Sequence, residues 1–200
     1  MKIFLINIMR SACIIFIFLF LITGIIYPYM ITYITKYIFK YQSNGSLIYV
    51  NKQIVGSSII GQYISNEKYF HGRPSSTIDK PYNGIGSHGS NLSINNPILL
   101  KQLFMRSKYV KKMNLQNNNI IIPLDLITSS SSGLDPHITL NAAFYQANRI
   151  AIIRNIPLSS LNYLIINNAE KSKFYSLHEP IINVLKLNIK LDILSMKLNQ

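Results

Sequence analysis

The sequence predicts an α+β protein: one N-terminal transmembrane helix followed by a single mixed α/β extracytoplasmic domain. Three observations predict it. Residues 11–35 carry no charged side chain and are bounded by Arg10 and Lys36. About 160 residues follow, enough for one domain with a real core. Within them, strand-like and helix-like runs mix without repeated βαβ units.

The apolar run comes first. As a helix, residues 11–35 reach about 37 Å, enough for a hydrocarbon core of ~30 Å with some tilt. The stretch from Cys13 to Ile22 is apolar on every face, unlike an amphipathic surface helix. A secretory signal peptide has a shorter apolar run, about 7–15 residues, ending in small residues. Here Ile25, Ile26, Tyr27 and Met30 stand where those small residues belong, so the reading is a retained anchor. Gly24 and Pro28 are tolerated in membrane helices, and Thr23 with Gly24 also suits close packing against another helix. Lys2 and Arg10 on one side nearly balance Lys36 and Lys40 on the other. Because a long folded domain can cross regardless of charge, the residues lean only slightly toward residues 1–10 as a short cytoplasmic tail, with 36–200 outside.

After an interfacial stretch with Tyr37 and Tyr41, Ser46–Val50 and Gln53–Gly56 read as two strands of a hairpin around Asn51-Lys52. Residues 66–96 are irregular and rich in Gly and Pro, a loop long enough to be functional. Asn96-Pro97 starts a helix with a cationic solvent face running through Lys112. Residues 120–128 read as a strand that Pro123 demotes to an edge or bulge. A turn-rich loop spans 129–138, and Asn141 is expected to cap a helix through Asn155. Ser159 or Ser160 is expected to cap another from Leu161 to Asn168. Residues 181–188 read as a strand or short helix, the alternation of Leu185, Leu187, Ile189 and Leu191 favouring a strand.

Composition bounds the chemistry. The single cysteine, Cys13, lies in the span and excludes an intrachain disulfide. The four histidines, at 71, 88, 137 and 178, are too dispersed for a metal pattern, and no metal or tightly bound cofactor is expected. The net charge is +13, but no dense Lys/Arg block of the nucleic-acid kind occurs, and no nucleic-acid partner is expected. Ile, Asn, Lys and Tyr all have AT-rich codons, which accounts for much of the lysine; loose contact with acidic lipid headgroups stays open.

Motif searches mostly exclude. Gly84-Ile85-Gly86-Ser87-His88-Gly89 matches G-x-G-x-x-G, but no strand precedes it, no helix opens from it, and the next acidic residue is Asp125. No serine sits in a G-x-S-x-G elbow, so Ser, His and Asp in the 129–138 loop do not make a hydrolase, and no catalytic residue is assigned. Gly133 and Asp135-Pro136 read as turn residues, and Asp135 with His137 as a polar pair at an interface. Arg73, beside Gly72 and Pro74, suits clamping a carbonyl or carboxylate.

These loops carry a resemblance. Tyr69-Phe70-His71-Gly72-Arg73-Pro74-Ser75, Gly89-Ser90-Asn91-Leu92 with Asn96-Pro97, and Ser132-Gly133-Leu134-Asp135-Pro136-His137-Ile138 occur in that order. Tyr145-Gln146 with Arg149, and Asn183-Val184-Leu185 with Leu187-Asn188, continue it. Over nearly its whole length the chain resembles the C subunit of the Kdp-type potassium-transporting ATPase. That family commonly has glycine where this chain has His88, Ser131 and His178; were those positions to need positive φ, each side chain would cost about 1 kcal/mol.

The resemblance implies a noncatalytic accessory subunit of a high-affinity ATP-driven potassium pump. Its partners would be a potassium-binding multispan subunit, a P-type ATPase subunit and the lipid bilayer. It implies stabilisation of the complex and a catalytic-chaperone role that raises ATP affinity, with ATP met through a ternary complex and Gln146 as the nucleotide-contact candidate. Phe70, His71, Gly72, Arg73, Pro74, Ser90, Asn91, Gly133, Leu134, Asp135, Pro136, His137, Arg149, Asn183 and Asn188 become motif or interface positions. Thr23, Gly24 and Pro28 become membrane-packing positions, and the amino terminus is set inside. An external domain would lie away from cytoplasmic ATP, which conflicts with direct contact. The alternative is a free-standing membrane-anchored envelope binding protein or enzyme.

Overall fold

A computed structural model of the chain describes residues 2–117, 120–170 and 179–198. It divides into two units, residues 1–47 and 48–200. The first is a run of helix: α1 (Lys2–Phe20), a π-helical segment (Leu21–Ile26), α2 (Tyr27–Ile38) and the short α3 (Lys40–Ser43). The stretch Phe4–Ile38 is apolar and long enough to cross a membrane, and its side chains are exposed nearly throughout. A core helix of a water-soluble domain would bury that surface, so lipid is the solvent that fits it. The π segment has a cause in the sequence. Pro28 has no N–H, and its ring clashes with the carbonyl four residues back, at Gly24. The backbone widens across that position, Tyr27 N–H reaching Ile22 O five residues back.

The second unit opens on the expected hairpin, β1 (Leu47–Val50) and β2 (Gln53–Ser57). Asn51 and Lys52 at its tip both have positive φ, 49° and 65°, matching the twist of a tight hairpin turn. No regular element is assigned between Gln53–Ser57 and the helix α4 (Pro97–Met113), which Asn96 caps by accepting Ile98 N–H at 2.8 Å.

Residues 120–128 correct the sequence reading. They form no strand; Leu124–Leu126 is a 3-10 turn. Pro123 supplies no donor, Leu126 N–H bonds Pro123 O, and the Asp125 carboxylate takes Thr139 N–H at 2.6 Å. Side-chain capture thus replaces a ladder. The strand β3 (His137–Thr139) follows, then α5 (Leu140–Arg154), capped by Thr139, not Asn141, and closed by Asn155 in the left-handed region. The helix α6 (Leu158–Asn168) starts after Pro157, earlier than either serine.

The C-terminal run also departs from expectation. The strand β4 is limited to Ile181–Asn183, and α7 occupies Val184–Leu198. Val184, Leu187, Asn188 and Leu191 form the buried face at helical spacing. Asn188 takes a place where an apolar residue would reveal the period, and that disguise makes the run look alternating. Antiparallel pairing of β3 with β4 sets His137 opposite Asn183, Ile138 opposite Ile182 and Thr139 opposite Ile181. The core gathers around α5, whose Ala142, Ala143, Ala147 and Ala151 allow close approach by its neighbours. Phe70, Ile150, Leu161, Ile165, Ile182, Leu187 and Leu191 fill it, all fully buried.

Candidate functional site

The long loop meets the helices at residues 68–71. Phe70 is fully buried, so its backbone groups need partners inside the protein. Asn188 provides both: Phe70 N–H donates to Asn188 Oδ1 at 2.9 Å, and Asn188 Nδ2 donates to Phe70 O at 2.9 Å. Gln146 repeats the device one residue on, accepting His71 N–H at 2.8 Å and donating to His71 O at 3.1 Å. Two guanidinium groups extend it, Arg149 Nη2 to Tyr69 O at 3.1 Å and Arg154 Nε to Lys68 O at 2.8 Å. Backbone groups of four consecutive residues, Lys68 to His71, are therefore held by side chains of α5 and α7 in place of a neighbouring strand. Arg154 also pairs with Asp192 at 2.7 Å and lies over the Tyr69 ring.

Gln146 is almost wholly buried, and its amide is occupied on both sides. Nε2 also donates to Ala142 O, and Oε1 also accepts from Arg149 Nη2.

A second interlock joins the 72–91 loop to the 129–137 loop. Arg73 Nη1 meets Asp135 Oδ2 at 3.2 Å, and its Nη2 reaches Ser129 O. Asp135 Oδ1 accepts His137 N–H at 3.0 Å, with the imidazole Nδ1 3.5 Å away. Burial pulls the Asp135 carboxyl up, but hydrogen bonding to His137 and the Arg73 charge outweigh it, leaving it below its ordinary value. Ser75 Oγ donates to Gly133 O, Tyr82 Oη donates to Arg73 O, and Gly61 N–H donates to Leu134 O. Burial, then Asp135, push the Tyr82 phenol up to about 12.

Approach is close here. Gly133 has φ +69°, and a Cβ there would meet His88 O at 2.6 Å; one on Gly72 would meet Tyr82 Oη at 2.7 Å. Neither His88 nor Ser131 has positive φ, so the strain considered for those two positions does not arise. His178 lies outside the described residues.

Pro136 O accepts Val184 N–H at 2.9 Å, and Asn183 Nδ2 donates to Ser58 O at 2.7 Å. The predicted positions from Phe70 to Pro74, Gly133 to His137, Gln146, Arg149, Asn183 and Asn188 thus converge on the contacts between loops and helices. Ser90 and Asn91 sit beyond Gly89, itself packed against Ser131 O, and Asn91 has φ 50°. Thr23, Gly24 and Pro28 lie in the other unit: Thr23 Oγ1 donates to Leu19 O, Gly24 lies within the π turn, and Pro28 follows it.

Beside the first interlock is a cavity of about 280 Å³, with His71, Arg73, Arg106, Arg149 and Gln146 among its lining. Burial lowers the His71 imidazole despite its hydrogen bond to Asn66 O, and Arg149 lowers it further. Burial also lowers the Arg149 guanidinium to about 10, which leaves it cationic at neutral pH. Sequence reasoning missed Asn114, Arg106 and Arg154. Asn114 accepts from Arg149 Nε at 3.1 Å, and Arg106 donates to Ile127 O at 3.0 Å. A buried asparagine following a helix leaves no periodic signal, and a lone Arg among lysines reads as solvated. Among the described residues no cluster of His, Cys, Asp and Glu could hold a metal ion.

The family model of the K+-transporting ATPase, c chain (KdpC), matches residues 9–193. A potassium-transporting ATPase KdpC subunit of Photorhabdus laumondii is 46% identical over 189 residues, covering 94% of this chain and 97% of that one. Its counterpart in Yersinia enterocolitica is 47% identical over 184 residues, covering 92% of each. That of Escherichia coli is 40% identical over 184 residues, covering 92% of this chain and 96% of its own.

Proposed function

The chain belongs to the KdpC family, the c chain of the K+-transporting ATPase, and we propose that it serves its pump as a noncatalytic assembly and regulatory subunit. The observation that supports this most is where the motif residues are spent. Gln146, Arg149, Asn188, Arg73 and Asp135 bond to the protein's own loops and so fix its shape. A rigid surface on one membrane helix suits assembly with a potassium-binding multispan subunit and a P-type ATPase subunit.

In this reading the amino terminus is cytoplasmic and the domain faces outward. A gain in ATP affinity, the catalytic-chaperone role, then acts through the assembled complex. Direct nucleotide contact by Gln146 would require its amide to release His71, so the indirect route is the simpler one.

Deleting this chain from its cell and measuring potassium uptake at limiting potassium, together with pump assembly, tests the proposal. Uptake should fall and the pump should recover poorly on purification. Normal uptake by an intact pump would favour a free-standing envelope protein instead. Measuring the ATP concentration for half-maximal hydrolysis with and without the chain addresses the chaperone role, which predicts a higher value without it.

A further inference from the structure

We propose that the cavity lined by α4, α5 and the 71–82 loop binds a small oxyanion, a phosphate or a carboxylate, on the guanidinium groups of Arg149, Arg73 and Arg106. The inference goes beyond the assembly role and does not depend on it.

Arg149 is the strongest ground. It is 3% exposed, and its Nε and Nη2 have partners in Asn114, Tyr69 and Gln146. Its Nη1 is buried with no hydrogen-bond partner among the described residues, and so is Arg73 Nε. Buried N–H groups of this kind are rare in proteins, and an ion or water answering them is the usual explanation. Two such donors, on two guanidinium groups that line one cavity, point to an acceptor that the chain itself does not supply.

Charge agrees. Arg73, Arg106 and Arg149 line the cavity, while no Asp or Glu does. Asp135 answers Arg73 from outside that lining. Ile64, Val110, Met113 and Leu126 contribute apolar wall, which lowers the local dielectric and strengthens attraction for an anion. Guanidinium groups match the oxygen spacing of carboxylate and phosphate alike. Size selects further. At about 280 Å³ the space falls just under the ~300–1,000 Å³ range of pockets for drug-sized ligands. A single oxyanion with a few waters fits better than a whole nucleotide.

The test uses the full chain in detergent, followed by circular dichroism on heating. Sodium phosphate and sodium succinate are titrated separately against sodium chloride at matched ionic strength, with adenosine as an uncharged comparison. At least one anion should raise Tm saturably, and whichever does so identifies the source of the oxygens. Arg149→Lys, which keeps the charge but removes Nη1, should weaken that response at least fivefold. If this variant does not fold, Arg106→Gln decides, since Arg106 takes no part in the clamp on residues 68–71; it should weaken the response by a similar factor. Tm unmoved by either anion beyond chloride would overturn the proposal. So would an unchanged midpoint in the variants, or saturable stabilisation by adenosine alone.

Discussion

Asn188 and Gln146 do for Phe70 and His71 what a hydrogen-bonded strand does elsewhere, each supplying one donor and one acceptor to a backbone that has no ladder. An amide side chain is uncharged, carries both functions and fits a buried site where a carboxylate would be penalised. Replacing Asn188 with Ala strands two buried backbone groups and opens a small void. Each unanswered group costs about 1–3 kcal/mol, so the loss should be roughly 2–6 kcal/mol. Denaturant unfolding of the full chain should show it, and a loss under ~0.5 kcal/mol would mean that water replaces the amide. The motif residues themselves were legible in the sequence. Their roles were not, because His71 and Gln146 are 75 positions apart and Phe70 and Asn188 118 apart. Nothing local announces a bond across that distance. Arg73 is the partial exception, since a guanidinium between Gly72 and Pro74 already suggested a clamp, and Asp135 is what it clamps.

Among elements, those with local signals were readable and those set by tertiary contact were not. Asn96-Pro97 begins α4 by capping, and Asn51-Lys52 turns the hairpin. The 120–128 run misleads because Ile120, Ile121 and Ile122 favour a strand while Pro123 and the Asp125–Thr139 bond end any ladder. In α7 a polar Asn188 breaks the apolar stripe it belongs to. The membrane helix yields a prediction at this scale. Gly24 packs under Phe20, whose ring stands 3.4 Å from where a Cβ would be, and Thr23 bonds back to Leu19. A small surface at this level of the span suits close approach by another helix. Gly24→Leu should reduce co-purification of the pump severalfold while leaving the chain in the membrane. Unchanged recovery would make the span a tether alone.

For the whole molecule, acid stability separates two windows. Burial first, and Arg149 with it, hold the folded His71 imidazole below its unfolded value, near 6.5. The folded state then binds fewer protons than the unfolded one, so this contribution is full above about 6.5 and is lost as pH falls through the folded value. Asp135, also lowered, acts in the same direction further down; its contribution is present above about 3.9 and is lost in stronger acid. The denaturant midpoint should drop between pH 7 and 5, and His71→Gln should flatten that drop. Equal slopes in the two proteins would assign it to other groups.

The π turn before Pro28 has a consequence for registry. It accommodates an extra residue, and each residue turns an α-helix by about 100°. Apolar faces counted from Lys2–Phe20 are therefore out of phase with those of Tyr27–Ile38 by roughly a quarter-turn. One continuous helix can thus offer different sides to different neighbours at two depths of the bilayer. A single-residue deletion within Leu21–Ile26 would realign the halves, a change of facing rather than of length.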